Sequence, residues 1–149
     1  MGTKSDVPAK QAFIKKLINE GFETAEIKAK PSDIVATKNG ETWYYEIKLT
    51  DRTDTYFGAA TLTEWEQAFN TPDRYRFVVA IRHTDGTFEF REFTPQEFMQ
   101  YSTIPPFKVY FNIRLDDKKA HGTTRTAVPL TEDNFQQMNE LFNKMRNSR

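Results

Sequence analysis

PSDIVATKNGETWYYEIKLT, residues 31–50, sets an apolar-rich run on either side of Asn39-Gly40. That dipeptide suits a two-residue type I′ turn, which needs positive φ at both central positions, so the stretch predicts a β-hairpin with Lys38 facing Glu41. Counting outward in that register puts Asp33 directly opposite Glu46. Ile34, Ala36, Trp43, Tyr45, Ile47 and Leu49 then share one face, ready to pack on a helix, while Asp33, Glu46 and Lys48 share the other with Val35 and Tyr44. A bulge at the turn would slip the register by one residue, but the apolar alternation supports the same pairing independently. Carboxylates so placed have Cβ atoms roughly 5 Å apart and repel unless a cation lies between them. Lys48 or a divalent metal would serve, and Mg²⁺ is typically held by one or two carboxylates with water and substrate phosphate.

Pro31-Ser32-Asp33, then Glu46-Ile47-Lys48 about a dozen residues later at a strand end, resembles the PD-(D/E)XK phosphodiesterase superfamily. AFIKKLINEGFE, PSDIVA and YYEIKLT are similar to Holliday-junction resolvases, and TLTEWEQA followed by RYRFVVAI is similar to Mrr-like nuclease domains. The likeness covers about residues 8–83. It implies an α/β (α+β) restriction-endonuclease-like fold: an αβββαβ core with a mixed central sheet flanked by helices, and an added C-terminal strand and helix. It further implies Asp33, Glu46 and Lys48 as catalytic residues, with Asp33, Glu46 and the Ile47 carbonyl holding Mg²⁺, for which Mn²⁺ can substitute. Where the resolvase-like pattern has a helix glutamate, this chain has Lys10. Glu20 could substitute only from the other end of that helix, and otherwise is a solvated helix-end charge.

At 149 residues, with 38% hydrophobic and 14% aromatic residues, the chain can bury a core and reads as one domain, a nuclease-like core at about 8–83 with an elaboration over 84–149. With no cysteine, thiol catalysis, disulfides and cysteine-based zinc sites are excluded. There is neither a signal-peptide pattern nor an apolar run long enough to span a membrane, so a cytoplasmic setting and no membrane partner are expected. The formal net charge of zero is unusual for a free-standing nucleic-acid binder. Charge is uneven, however: acids outnumber bases over residues 51–99 and bases outnumber acids over 100–149.

Along the chain, Ser5 or Asp6 is placed to cap a helix opening near Pro8, with Ala9, Phe13, Leu17 and Ile18 as its stripe and Gly21 as its stop. Residues 22–29 read as a short strand. The polar stretch 51–60 reads as a loop at the mouth of the site, making Arg52 and Tyr56 candidates for substrate contact or simply solvated side chains. Thr61 or Thr63 opens the next helix in capping-box spacing to Glu64 or Glu66. Leu62, Trp65, Ala68 and Phe69 form its apolar side, and Gln67, off that side, is a possible accessory near a metal. Residues 74–82 alternate, with Tyr75, Phe77, Val79 and Ile81 on one face, and Asp85-Gly86 turns that strand back into 87–93. A helical turn at 95–101, a strand at 107–115, a polar loop at 116–127 and a helix from Thr131 complete the pattern. That helix has Leu130 and Phe135 as a staple and Phe135, Met138, Leu141, Phe142 and Met145 on one side.

Two histidines, no nucleophile elbow and neither a P-loop nor a dinucleotide fingerprint leave little room for histidine-rich metal clusters, a serine hydrolase or a nucleotide-driven enzyme. Two functional readings follow. One is a Mg²⁺-dependent endonuclease acting on phosphodiester bonds of nucleic acid, with DNA and a homodimer or partner subunit implied by the resemblance. The other is a non-catalytic nucleic-acid or protein interaction module that keeps the nuclease fold; the neutral charge and the missing helix glutamate suggest it.

Overall fold

The computed structural model describes residues 5–104, 111, 113, 115 and 131–147, the side chains at 134, 142, 145 and 146 excepted. The chain divides into two compact units, Met1–Tyr101 and Ser102–Arg149. The first runs α1 (Val7–Asn19), β1 (Thr24–Ile27), β2 (Ile34–Lys38), β3 (Glu41–Thr50), α2 (Leu62–Asn70), a single 3-10 turn at Pro72–Arg74, β4 (Tyr75–Arg82), β5 (Phe88–Phe93) and α3 (Pro95–Gln100). Its five strands form one open mixed sheet in sequence order, antiparallel except for the parallel β3–β4 pair, which α2 connects. The protein is thus an α+β structure with helices flanking a mixed sheet. β5 and α3 fall within the first unit.

The β2–β3 hairpin has the expected register. Asn39 and Gly40 take φ of 54° and 78°, and Lys38 pairs with Glu41 and Ile34 with Tyr45. The hairpin's apolar face lies on α1, where Ala9, Phe13 and Leu17 pack with Ile34, Ala36, Tyr45 and Ile47. Ile18, expected in that stripe, is 45% exposed.

At the start of α1, Ser5, one of the two expected caps, accepts the Val7 N–H on its hydroxyl at 3.3 Å. Asp6 occupies the N-cap position without a side-chain capping hydrogen bond, and its carboxylate pairs with Lys10 at 3.3 Å. The helix ends as expected at Gly21, with φ of 100°. The Gly21 N–H donates to the Ile18 carbonyl and the Phe22 N–H to the Leu17 carbonyl, the double bond of a Schellman cap. Gly21→Ala is expected to cost about 1 kcal/mol, read as a lower denaturant midpoint at unchanged slope, because only glycine adopts this φ without strain.

β4 departs from a one-faced strand. Tyr75, Phe77 and Ile81 are buried as expected, but Val78 and Ala80 are buried as well, in the core shared with α1. A central strand between parallel and antiparallel neighbours is covered on both faces, so its sequence need not alternate cleanly. Its second face carries an aromatic layer: Trp65 of α2 lies 4.9 Å from Phe77 between ring centroids, and Phe98 of α3 stacks on Phe77 at 4.4 Å.

In the second unit, α4 spans Glu132–Asn147. Leu141 is buried, whereas Phe135, expected on the same covered side, is 49% exposed. The side chains of Phe142 and Met145, the Leu130 staple, the loop at 116–127 and most of the strand expected at 107–115 lie outside the described residues. No helix among the described residues is long and apolar enough to cross a membrane.

Candidate functional site

Asp33 is delivered by a short turn. The buried Ser32 hydroxyl donates to the Ile34 carbonyl at 2.7 Å, and the Lys28 N–H donates to the Asp33 carbonyl at 2.8 Å, so the chain enters β2 with Asp33 at its mouth. One carboxylate oxygen of Asp33 accepts the Ile47 N–H at 2.9 Å, and the other lies 3.4 Å from Lys10 Nζ. Across the hairpin, Glu46 is only 8% exposed and its carboxyl group is hydrogen-bonded to Asp33. The two carboxyls therefore meet, as the register requires. Burial above all, then the negative charges of Asp33 and Glu64 and the hydrogen bond to Asp33, push Glu46 up to about 9 against the opposing pull of Lys48. Glu46 thus keeps its proton through neutral pH.

Lys48, two residues further along the same face, lies close by but does not lie between the two carboxyls. Its ammonium donates to Glu64 Oε1 at 2.7 Å, with both side chains largely covered. Glu64 sits in the first turn of α2, where its Oε1 also accepts the Thr61 N–H at 3.1 Å while Thr61 Oγ1 accepts the Glu64 N–H at 3.1 Å. This is the capping box expected at Thr61, and it holds the Glu64 carboxylate against the sheet. The sequence marks Glu64 only as a capping residue; its part in the cluster comes from the packing of Trp65 on Phe77, which lays α2 over β3 and β4.

Lys10 is the other residue that the packing brings in. It stands where the resolvase-like pattern has a glutamate, and α1 directs it at Asp33. Burial alone would depress its pKa, yet the adjacent Asp33 and Asp6 carboxylates more than offset this and raise it. Lys10 thus stands between Asp33 and Asp6, while Lys48 is held by Glu64.

The other expected contributors are placed elsewhere or differently. Glu20 ends α1 opposite Lys10 and pairs with Lys16 at 2.8 Å. Arg52 is exposed and forms a two-pronged pair with Asp54 at 3.1 and 3.0 Å. Tyr56 is 40% exposed and folds back over Gly58, where a Cβ would lie 3.1 Å from its ring. Gln67 is half-buried on α2. Ile47 is tied to the site through its N–H, and its side chain lies in the core.

Among the described residues, no group of three or more His, Cys, Asp or Glu side chains is spaced to hold a metal ion. Asp33 and Glu46 nonetheless offer a pair of adjoining hard oxygen donors, which suits Mg²⁺, an ion that fills its remaining positions with water and substrate oxygens. In comparisons with known proteins, no protein-family model and no curated protein matches this sequence.

Proposed function

We propose that this chain is a metal-dependent nuclease of restriction-endonuclease-like fold, acting on phosphodiester bonds of nucleic acid, with DNA the favoured substrate. The observation that carries this reading is the adjoining pair of half-buried Asp33 and buried Glu46, followed on the same strand face by Lys48. Like charges are costly in such a place, and a divalent cation held there would relieve the repulsion. When bound, Mg²⁺ or Mn²⁺ supplies charge neutralisation and polarisation of a phosphoryl oxygen. Asp33 and Glu46 hold that ion, and the Ile47 N–H fixes the Asp33 carboxylate. Lys48, released from Glu64, orients the attacking water and offsets charge that builds up in the transition state.

The ion pairs of the cluster favour a second reading. With Lys10 on Asp33 and Lys48 on Glu64, two of the site's carboxylates already have a cation without a metal, as in an interaction module that keeps the fold but lacks turnover. Cleavage of linear duplex, single-stranded and branched DNA, and of RNA, in Mg²⁺ or Mn²⁺ separates the two readings. Under the nuclease reading, wild type cleaves at least one of them. Lys48→Ala then folds and binds metal but cleaves on the order of 100-fold more slowly or worse, the scale for losing one group that stabilises transition-state charge. Wild type that binds the metal yet leaves every substrate intact would favour the interaction module.

A further inference from the structure

Among the described residues, Tyr75 Oη is the one buried side-chain nitrogen or oxygen without a hydrogen-bond partner. The residue is 1% exposed, so water at the surface does not compensate the hydroxyl. Packing does not account for it either. The ring contacts Phe77 edge-on, at 5.3 Å between centroids, in an aromatic layer where phenylalanine would serve equally well.

The location of Tyr75 suggests a use. In the parallel β3–β4 ladder, Tyr44 pairs with Tyr75 and Glu46 with Phe77, so Tyr75 rises from the same sheet face as Glu46, one strand over and two residues back. Burial first, then the charges of Glu46, Glu64 and Asp33, hold its phenolic proton firmly in place. It is therefore a donor without an acceptor on the sheet face that carries Glu46. The other donors there are engaged: Lys48 by Glu64, Lys10 by Asp33 and Asp6, and the Ile47 N–H by Asp33.

A carboxylate that holds a cation through one oxygen leaves the other to a protein donor, and such outer partners set ligand orientation. We propose that Tyr75 is a positioning residue for the candidate metal centre, its hydroxyl donating to the Glu46 carboxylate when that carboxylate holds a divalent cation. This rests on the reading of Asp33 and Glu46 as the cation site. In the metal-free protein the hydroxyl has no partner.

The test is calorimetric titration of Mg²⁺ and of Mn²⁺ into wild type and Tyr75→Phe, with thermal melts of both proteins free of metal. Tyr75→Phe is expected to melt at or slightly above the wild-type temperature without metal, since it loses no hydrogen bond, and to bind either ion roughly tenfold more weakly. Wild-type affinity in Tyr75→Phe overturns the proposal and leaves the cation site standing. A lower metal-free melting temperature with undiminished affinity also overturns it, by assigning the hydroxyl a structural role. Wild type that binds neither ion overturns the cation site and the proposal together.

Discussion

Raising the pH from about 4.5 to about 9 is expected to destabilise the metal-free protein by on the order of 1 kcal/mol per pH unit. The sign follows from proton counting. Glu46 is held protonated in the folded state up to about 9, chiefly by burial and then by Asp33 and Glu64, whereas in the unfolded chain it ionises near 4.5. Between those values the folded state binds more protons, so stability present below 4.5 is lost as the pH climbs through the window. Asp33, Glu64 and Lys48 act on the group directly, with Tyr75 on the same sheet face and Lys10 behind Asp33, and Lys48 tempers the loss without reversing it. Glu46→Gln, which keeps the shape and removes the titration, is expected to flatten this slope and to be the more stable protein at pH 8. Saturating Mg²⁺ is expected to flatten it in wild type too, because the ion takes the proton's place and its binding releases that proton. Urea unfolding across the pH range reads both effects. A wild-type slope identical to that of Glu46→Gln would remove the Glu46 proton from the description of the site.

Lys10→Met is expected to act in opposite directions on stability and on metal affinity. The Lys10 ammonium lies 3.4 Å from one Asp33 oxygen and 3.3 Å from Asp6, and only 13% of its side chain is exposed. Its loss leaves Asp33 beside Glu46 without a compensating cation, a largely covered charge stripped of its partner, at a cost of about 2 kcal/mol in the metal-free protein. The same loss removes the positive charge with which an incoming divalent ion must compete, so Mg²⁺ affinity should rise by about tenfold, and excess Mg²⁺ should restore most of the lost stability. Thermal melts with and without Mg²⁺, together with calorimetry, decide this. A variant that is destabilised and binds Mg²⁺ no better than wild type would show that Lys10 supports the fold without bearing on the cation site. Asp33→Asn is the companion control, and its Mg²⁺ response should vanish.

The hairpin and the opposition of its two carboxyls were legible because both depend on local rules. Asn39-Gly40 selects the turn, and the two-residue period of a strand assigns each side chain in residues 33–50 to a face. The stop at Gly21 and the capping box at Thr61 are equally short-range.

Tertiary structure alone decided what those carboxyls meet. Lys10 reaches Asp33 because the stripe of Ala9, Phe13 and Leu17 docks α1 on the hairpin's apolar face, and Glu64 reaches Lys48 because Trp65 seats α2 on the other. Tyr75 comes alongside Glu46 only through the parallel pairing of β3 with β4, strands joined by a crossover helix, whose register no turn sets. Local backbone preference places residues on faces, but which faces are pressed together depends on apolar burial between distant segments. Local spacing could therefore oppose Asp33 to Glu46, while the burial that keeps Glu46 protonated and the lysines beside Asp33 and Glu64 had to come from the packed fold.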